Sequence, residues 1–516
     1  MNESIILTTL NARYMHCAFG LRYLYANLGE LQAQARIVEF TIRQRPVDIV
    51  EQLLAREPEI IGFSVYIWNV TETTQVIELL KRVAPQVSVI VGGPEVSFAD
   101  DLPALAELAD FVVTGPGETS FRELCGDLLK RRPIAAKVIP GKSVDLESLQ
   151  LPYAWYTEED LRNRLIYVEA SRGCPFKCEF CLSSLDKTAK PFELTRFLDA
   201  MDDLHRRGAR NFKFIDRTFN LKVSSSVAIL EFFLERMSSD LYLHFEVIPD
   251  YLPEKLRQVL TRFPPGSLQF EVGVQTFDPV IQQTISRRQD NDRTCANLRW
   301  LRQHTGAHIH ADLIFGLPGD SLENFADSFD RLIALGPQEI QLGILKRLRG
   351  APLNRHNQDY ELRYNPSAPY NILSTRDIDF VTMQRVNRFA RFWDMIANSG
   401  RFTNTLPVIL GEQPFVNFLE LSDCLYKIAG SSWKISLRRL FGLLFDALCD
   451  HLQRDPAQLR ASLAADFARS GEKGRIEFGA PRLEMVAAAG EANKRQRQHQ
   501  RGSAAEGQTM NVPEVR

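Results

Sequence analysis

Three cysteines within residues 174–181 are the feature of this 516-residue chain with the clearest chemical potential. Residues 169–182 read EASRGCPFKCEFCL, so Cys174, Cys178 and Cys181 have the spacing Cys-x3-Cys-x2-Cys. Thiolates are soft ligands that suit zinc ions and iron–sulfur clusters. The other five cysteines are scattered singly, at Cys17, Cys125, Cys295, Cys424 and Cys449. Each of those is most simply a small buried hydrophobic residue or an exposed bystander, whereas the cluster predicts a metal centre.

The number of ligands indicates which metal centre this is. Structural zinc sites and ordinary four-iron clusters both use four protein ligands, but no fourth Cys or His lies near the motif. The closest in sequence are Cys125 and His205. Three thiolates on a four-iron cluster leave one iron open for a substrate, as an open position does in catalytic zinc sites. A zinc site completed from a distant residue, or three cysteines in a packed turn, are the alternatives.

Two charged residues between the cysteines, Lys177 and Glu179, argue against deep burial of this loop. The aromatic Phe180 stands directly before Cys181, where it can shield a cluster from water and tune its potential. The loop follows the strand-like run LIYVEA. It therefore begins at the carboxyl end of a predicted strand, which is where parallel α/β folds place their chemistry.

The elements before this loop, up to about residue 140, alternate between buried apolar strands and amphipathic helices. This pattern predicts a doubly wound parallel sheet. Ligands bind such sheets beyond the carboxyl ends of the strands. Those ends are the loops around His16, Ser64, Gly92–Gly93 and Gly115–Gly117.

The alternation resumes after a polar connector. Candidate strands occur at 165–169, 211–216, 242–248, 268–274, 308–315 and 339–345, with helical patterns between them. Six such units predict a partial (β/α)6 barrel, since a closed barrel usually takes eight. The predicted organisation is an N-terminal doubly wound domain (1–140), a linker (141–163), the barrel (164–355), a mainly helical C-terminal domain (356–483) and a disordered tail (484–516).

The C-terminal residues carry less information about chemistry. Long amphipathic segments predict helices there, with Phe392, Trp393 and Phe402 in the core, and the helical region is expected to cap the open side of the barrel. The tail is rich in Ala, Gly, Gln and charge, which favours a solvated terminus over an RNA-binding segment.

The composition excludes several classes of partner. The formal net charge is −2, so binding to nucleic acid is not indicated. No apolar run is long enough to span a membrane and no secretion signal opens the chain. We therefore expect a cytoplasmic protein in a reducing compartment.

The cysteine motif, with its aromatic residue and its position after the first of several βα units, resembles the radical S-adenosylmethionine (SAM) superfamily. The resemblance implies a [4Fe-4S] cluster held by Cys174, Cys178 and Cys181. Its open iron would chelate SAM, and one-electron reduction would then release a 5′-deoxyadenosyl radical.

The resemblance continues along the barrel and implies further SAM contacts. FKFIDRTFN (212–220), FEVGVQT (270–276) and HADLIFGLPGDS (310–321) are similar to the family's second, fourth and fifth strand segments. The implied SAM-binding residues are Phe180, Asp216, Thr218, Asn220, Glu271, Gln275, Asp312 and Gly316. The family's Gly-Gly-Glu is absent, Asp320 replaces a more usual Glu, and Arg349 replaces a frequent Pro in LKRLRGAPL (345–353), which is similar to the sixth-strand turn near adenine.

The N-terminal domain is similar to the cobalamin-binding domains that precede such barrels. The implied cobalamin-binding residues are His16, Ser64, Gly92, Gly93, Gly115 and Gly117. The family's Asp-x-His-x-x-Gly motif is incomplete, because Asp is missing and Gly20 comes one residue late. A loop histidine with a backbone partner is thus an alternative role for His16.

The leading hypothesis is a cobalamin-dependent radical SAM enzyme that uses an electron donor such as flavodoxin or ferredoxin, with methyl transfer as its candidate reaction. A second hypothesis is a cobalamin-free radical SAM enzyme whose N-terminal domain is a docking module. A third, of another class, is a non-enzymatic zinc- or cobalamin-sensing protein.

Overall fold

A computed structural model describes residues 3–474 together with Ile476 and Phe478. Within that part of the chain, no helix is both long and apolar enough to cross a membrane. The tail predicted at 484–516 lies outside the described residues.

The N-terminal domain is a six-stranded parallel sheet in the order β2-β1-β3-β4-β5-β6. Its strands are β1 (Ile5–Asn11), β2 (Ala35–Thr41), β3 (Ile60–Ser64), β4 (Ser88–Gly92), β5 (Phe111–Thr114) and β6 (Val138–Pro140). Its helices are α1 (Phe19–Ala26), α2 (Pro46–Leu54), α3 (Val70–Val83), α4 (Leu105–Leu108) and α5 (Glu118–Leu129). Separate apolar cores lie on the two sheet faces, as expected of a doubly wound sheet. The strand order reverses between β1 and β3, which is where such folds bind ligands.

After the short helix α6 (Glu158–Asn163), a second parallel sheet has the order β14-β13-β12-β11-β10-β7. Its strands are β7 (Ile166–Val168), β10 (Asn211–Phe214), β11 (Tyr242–Val247), β12 (Leu268–Gln275), β13 (His308–Phe315) and β14 (Glu339–Ile344). A small antiparallel pair, β8 (Ser171–Arg172) and β9 (Lys190–Pro191), brackets the cysteine loop. Among the described strands, β14 does not pair with β7, so the predicted partial (β/α)6 barrel is confirmed.

The helices of the barrel pack outside this sheet. They are α7 (Leu194–Arg206), α8 (Val223–Glu235), α9 (Glu254–Leu260), α10 (Pro279–Thr284), α11 (Asn291–His304) and α12 (Leu322–Leu335). Alternate residues of β12 and β13 are buried apolar side chains, and those between them are polar apart from Gly273 and Ile314. The alternation places the polar side chains inside the barrel, because successive strand residues point to opposite faces.

The C-terminal region is mainly helical, as predicted. It contains the short hairpin β15 (Arg363–Tyr364) and β16 (Ile372–Ser374), and the helices α13 (Phe380–Trp393), α14 (Leu406–Leu410), α15 (Pro414–Ala429), α16 (Leu437–Asp446) and α17 (Pro456–Arg469). Phe392, Trp393 and Phe402 are buried, which confirms their place in the core. Asn398 accepts from the backbone amide of Ile340 (3.0 Å) and donates to its carbonyl (2.9 Å), so this region covers the free edge of β14.

Among the described residues, those up to Lys434 form one compact unit, and those from Ile435 onward form a second. The first unit therefore includes α13–α15 as well as both parallel sheets. The domain boundaries given above remain predictions.

Candidate active site

The cysteine loop is fixed by backbone hydrogen bonds at both ends. The amide of Cys174 donates to the carbonyl of Asp186 at 3.0 Å, and the amide of Cys181 donates to the carbonyl of Cys178 at 3.1 Å. Gly173 has φ +89, and a Cβ there would lie 2.2 Å from the carbonyl oxygen of Thr188. Only glycine fits this position, so the entry to the loop is conformationally determined.

Glu179 is buried, so the expectation that charged residues keep this loop near the surface is wrong for that side chain. Its carboxylate accepts hydrogen bonds from Ser286 Oγ (2.5 Å), Arg355 Nε (2.9 Å) and His356 Nε2 (2.9 Å). Its backbone carbonyl accepts from the amide of Leu353 at 3.0 Å. These partners satisfy the buried charge and tie the cysteine loop to the segment that follows the barrel. Lys177, by contrast, is exposed, as expected.

The surroundings of Cys174 and Cys178 favour the protonated thiol, whereas a metal binds the thiolate. Cys174 and Cys178 are buried and Cys181 is half-buried. Burial raises the pKa of the Cys174 and Cys178 thiols. Nη1 of Arg287 lies 3.6 Å from Sγ of Cys178, and its positive charge opposes that rise. A thiolate cluster carries negative charge, so Arg287 is suited to stabilise it.

Among the described residues, no three His, Cys, Asp or Glu side chains converge around a single metal ion. A cubane cluster binds each thiolate through a different iron, so its ligands need not converge on one point. The three thiols of this loop are therefore compatible with a multinuclear cluster.

The second barrel strand supports the loop through Asp216. Its carboxylate accepts from the amide of Ala170 (2.9 Å) and from Ser171 Oγ (2.6 Å). Burial raises the pKa of Asp216 to about 7. Thr218 is also buried beside it. Asn220 donates to the carbonyls of Ile248 and Tyr251 and accepts from the amide of Ile248, so its side chain is occupied by backbone partners.

Two predicted SAM residues on β12 and β13 carry buried oxygen atoms without a hydrogen-bond partner. They are Oε1 of Gln275 and Oδ1 of Asp312. Nε2 of His310 also lacks a hydrogen bond, although it lies 3.4 Å from Oδ1 of Asp312. Gln275 has φ +68 at a bulge in β12, an uncommon conformation for a side chain of this size. Burial raises the pKa of Asp312 well above its usual value. The hydroxyl and ammonium groups of SAM are donors that would satisfy these oxygens, so this part of the site fits SAM.

Glu271 lies inside the barrel in an ion-pair network. Its Oε2 atom is 3.2 Å from Lys213 Nζ and 3.1 Å from His244 Nε2. Burial would raise the pKa of Glu271, but these hydrogen bonds and charges outweigh it and lower it to about 2. The contact between Glu271 and SAM remains a prediction. The Glu271 carboxylate already has two partners, Lys213 and His244.

Gly316 is enclosed rather than open. It has φ +88, and a Cβ there would lie 2.9 Å from Cγ2 of Ile372 and 3.1 Å from Cε of Met383. Its amide donates to Oδ2 of Asp320 at 3.0 Å. The position therefore packs against the C-terminal region, and Asp320 acts as a local hydrogen-bond acceptor for the turn.

A cavity of about 880 Å³ lies between the N-terminal sheet and the barrel. All six predicted cobalamin residues line it: His16, Ser64, Gly92, Gly93, Gly115 and Gly117. From the barrel side it is lined by residues around the first two strands and the cysteine loop, including Tyr167, Arg172, Gly173 and Arg217. Sequence positions far apart thus form one site at the switch point of the first sheet.

Two glycines that line this cavity, Gly93 and Gly115, have different surroundings. A Cβ at Gly93, where φ is +105, would lie 2.7 Å from the carbonyl oxygen of Val65. At Gly115, where φ is +63, a Cβ would meet nothing within 4 Å. The open space at Gly115 fits a bulky ligand such as a corrin, whereas Gly93 is required by the close packing of its own loop against Val65.

His16 joins the cavity to the barrel. Its Nδ1 atom lies 2.7 Å from the hydroxyl oxygen of Tyr167. Burial lowers the pKa of His16, and the charges of Lys213 and Arg13 lower it further. The lowered pKa favours the neutral ring, which is the form that binds metals. Cobalt ligation by His16 remains a prediction.

Arg349 holds the two domains together. Its guanidinium donates from Nε to Oε1 of Glu95 (2.8 Å) and from Nη1 to Oδ1 of Asp101 (2.6 Å). Asp101 also accepts from Arg347 at 2.6 Å. The Arg that replaces a frequent Pro in the sixth-strand turn thus forms an interdomain contact.

Sequence reasoning missed Arg287, Tyr167 and the partners of Glu179. These residues belong to no motif, and they reach the site only because distant elements fold together. Tyr167 lies inside β7, Arg287 follows α10, and the partners of Glu179 lie in the segments after α10 and β14, so no shared sequence signal marks them.

The family models agree with this architecture. The model described as the B12 binding domain matches residues 5–125, and that of the radical SAM superfamily matches residues 168–332. A third, a protein family of unknown function, matches residues 358–510.

Two curated relatives each match more than half of this chain. The cobalamin-dependent radical SAM methyltransferase TokK of Streptomyces tokunonensis is 26% identical over an alignment of 365 residues that covers 61% of this chain and 51% of TokK. The 2-(S-pantetheinyl)-carbapenam-3-carboxylate methyltransferase of Streptantibioticus cattleyicolor is 24% identical over an alignment of 374 residues that covers 63% of this chain and 53% of that protein. The chain thus spans about half the length of each of these relatives.

Solved structures show the same fold. The cobalamin-dependent SAM radical enzyme OxsB, with aqua-cobalamin bound, has a TM-score of 0.63 at 15% identity, covering 90% of this chain and 84% of OxsB. The radical SAM methyltransferase TsrM of Kitasatospora setae, with cobalamin and a [4Fe-4S] cluster bound, has a TM-score of 0.57 at 19% identity, covering 72% of this chain and 76% of TsrM.

Proposed function

Because the chain is a radical SAM protein with an N-terminal B12-binding domain, we propose that it is a cobalamin-dependent radical SAM enzyme that transfers a methyl group. The observation that carries the proposal is the shared cavity: the cobalamin candidates on β1, β3, β4 and β5 face the barrel residues beside the cysteine loop across one space. Similar proteins named as cobalamin-dependent methyltransferases support it.

Three groups would supply the chemistry. Cys174, Cys178 and Cys181 would hold the cluster, which supplies the electron that cleaves SAM; cobalamin in the cavity would supply the methyl group. The protein's own part is to bind, orient and exclude water. Gly115 would let backbone approach the corrin, and His16 is the candidate ligand to cobalt.

SAM would lie between the cysteine loop and the lumen faces of β12 and β13. There Gln275 Oε1 and Asp312 Oδ1 would accept from its donor groups. Arg287, beside Cys178 and bonded to the carbonyl of Gly273, would hold positive charge near the cluster and the bound cosubstrate. Phe180, half-buried before the last thiol, would limit access of water.

The enzyme would also need a substrate and a one-electron donor such as flavodoxin or ferredoxin. A cytoplasmic setting would keep the three thiols reduced.

The test is anaerobic reconstitution with iron, sulfide and cobalamin, followed by incubation with SAM carrying a labelled methyl group and a chemical reductant. We expect retained corrin absorbance after gel filtration and formation of 5′-deoxyadenosine. Retention of no corrin would contradict the cobalamin part. Intact corrin binding without nucleoside release would contradict the radical SAM part.

A further inference from the structure

The cysteine loop presents positive charge to solvent. Lys177 lies between Cys174 and Cys178, and Lys187 and Lys190 follow in the returning segment; all three are exposed. Within the part of the chain that the structure describes, none of them forms a hydrogen bond or an ion pair through its ammonium group. The formal net charge of the whole chain is −2, so the positive charge of this segment is a local feature.

Backbone contacts place these lysines beside the cluster ligands. Lys187 follows Asp186, whose carbonyl accepts from the amide of Cys174 at 3.0 Å. Lys190 pairs with Arg172 in the β8–β9 hairpin, two residues before Cys174. The three ammonium groups thus belong to the same short stretch of backbone as the thiols.

Acidic groups do little to neutralise this surface. Residues 174–191 contain two carboxylates, Glu179 and Asp186. Glu179 is buried and paired with Arg355 and His356. Asp186 is exposed and accepts from the amide (3.0 Å) and hydroxyl (2.6 Å) of Thr188. The exposed balance of the segment is therefore positive.

An apolar contact point lies in the same segment. The side chain of Leu185 is 45% exposed, next to the pair Asp186–Lys187. Electron-transfer complexes are small and transient, with a charged rim around a modest apolar contact. We propose that Lys177, Lys187, Lys190 and Leu185 form the docking surface for a small acidic electron-carrier protein; the inference rests on the proposed function, which needs an electron at the cluster.

The step is a single electron transfer. One electron leaves the carrier's reduced cofactor, which is oxidised by one electron, and reduces the cluster by one. No covalent bond forms or breaks, and no proton is required. Docking at this surface shortens the path because the loop that carries the lysines also carries the ligands. Opposite charges raise the encounter rate, and salt screens that effect.

The test compares two charge-matched variants. One carries Lys177→Gln, Lys187→Gln and Lys190→Gln; the control carries Lys130→Gln, Lys137→Gln and Lys427→Gln, which are exposed residues on other elements. Binding of oxidised flavodoxin is titrated at low and at high salt. Cluster reduction is then followed by visible absorbance, with reduced flavodoxin or with dithionite as the donor.

We expect the loop variant to bind flavodoxin about tenfold more weakly at low salt and to lose most of its salt dependence, while the control binds like wild type. Reduction by flavodoxin should slow in parallel, and reduction by dithionite should be unchanged. Equal binding by the loop variant and wild type would overturn the docking surface. An equal loss in the control would do so too. Wild-type protein that is reduced by dithionite yet releases no 5′-deoxyadenosine would count against the proposed function, whereas the binding comparison still decides the docking surface.

Discussion

Nη1 of Arg287 lies 3.6 Å from Sγ of Cys178, and the Nη2 atom of the same guanidinium donates to the carbonyl of Gly273 in β12. One side chain thus links a candidate cluster ligand to the strand that carries Gln275. Hydrogen bonds and positive charge near cluster sulfurs favour the reduced state.

We predict that Arg287→Met lowers the cluster's reduction potential by tens of millivolts, an order-of-magnitude expectation for loss of a donor and a charge. Arg287→Lys keeps the positive charge but loses the forked guanidinium that makes both contacts, so the reduction potential should shift less. Redox titration followed by electron paramagnetic resonance measures both. A potential that is unchanged in Arg287→Met would show that this contact does not act on the cluster.

Glu179 connects the cysteine loop to the segment after the barrel, so its loss should loosen the cluster. We predict that Glu179→Ala retains less iron after gel filtration and is less stable by about 1–3 kcal/mol, because Ser286 and His356 lose a buried acceptor. Arg355→Gln is the matched control; its side chain is 62% exposed, so water can replace its contact and the effect should be smaller. Iron analysis and thermal unfolding decide this. Equal iron retention in all three proteins would contradict a positioning role.

Gly92 and Gly93, which both line the cavity, provide a matched pair of substitution sites. At Gly93 a Cβ would lie 2.7 Å from a backbone oxygen, whereas at Gly92 its nearest contact would be 3.6 Å, from the carbonyl of Val113. Gly93→Ala should therefore strain the loop by about 1–3 kcal/mol and abolish cobalamin retention. Gly92→Ala should fold normally. The measurement is corrin absorbance after desalting, with circular dichroism as the folding control. Normal corrin retention by Gly93→Ala would contradict the assignment of this loop to cobalamin binding.

Asp216 makes the stability of the folded protein depend on pH, and its raised pKa fixes the direction of that dependence. Burial raises its pKa to about 7 in the folded chain, so the folded state holds this proton where the unfolded state, with an ordinary Asp pKa of about 4, has released it. Stability from this group is present at low pH and is lost as pH rises between these values. Between about pH 5.5 and about pH 8 the loss is about 2 kcal/mol.

In Asp216→Asn this part of the pH dependence should vanish, although one of the two donors at Ala170 and Ser171 loses its acceptor. Thermal unfolding of the metal-free protein across this pH range tests it. The same slope in the variant and wild type would show that Asp216 is not the titrating group.

The architecture could be predicted because the strands are recognisable from their hydrophobic patterns. Runs such as EIIGFSVYI and the alternation in β12 and β13 are set by burial, so the order of elements, the partial barrel and the gathering of His16, Ser64 and the four glycines at one cavity all followed. The carboxyl ends of parallel strands lie at the same edge of a sheet, so residues at those ends can be grouped from the strand pattern alone.

Side-chain partners could not be predicted in the same way. Glu179 was expected near solvent, yet Arg355 and His356 arrive from a segment about 176 residues later and satisfy its charge. Asn220 is occupied by the loop after β11, and Gly316 is enclosed by the C-terminal region. These outcomes depend on contacts between elements far apart in sequence, which no local pattern encodes.

The central claim is that three thiols hold an iron–sulfur cluster with one iron open to SAM. It is tested by electron paramagnetic resonance of the reduced, reconstituted protein with and without SAM, alongside iron and sulfide analysis. We expect about four irons and four sulfides per chain, a reduced-cluster signal that changes when SAM is added, and loss of both in the Cys174→Ala, Cys178→Ala, Cys181→Ala variant. Bound zinc in place of iron, or a signal that SAM leaves unchanged, would contradict it.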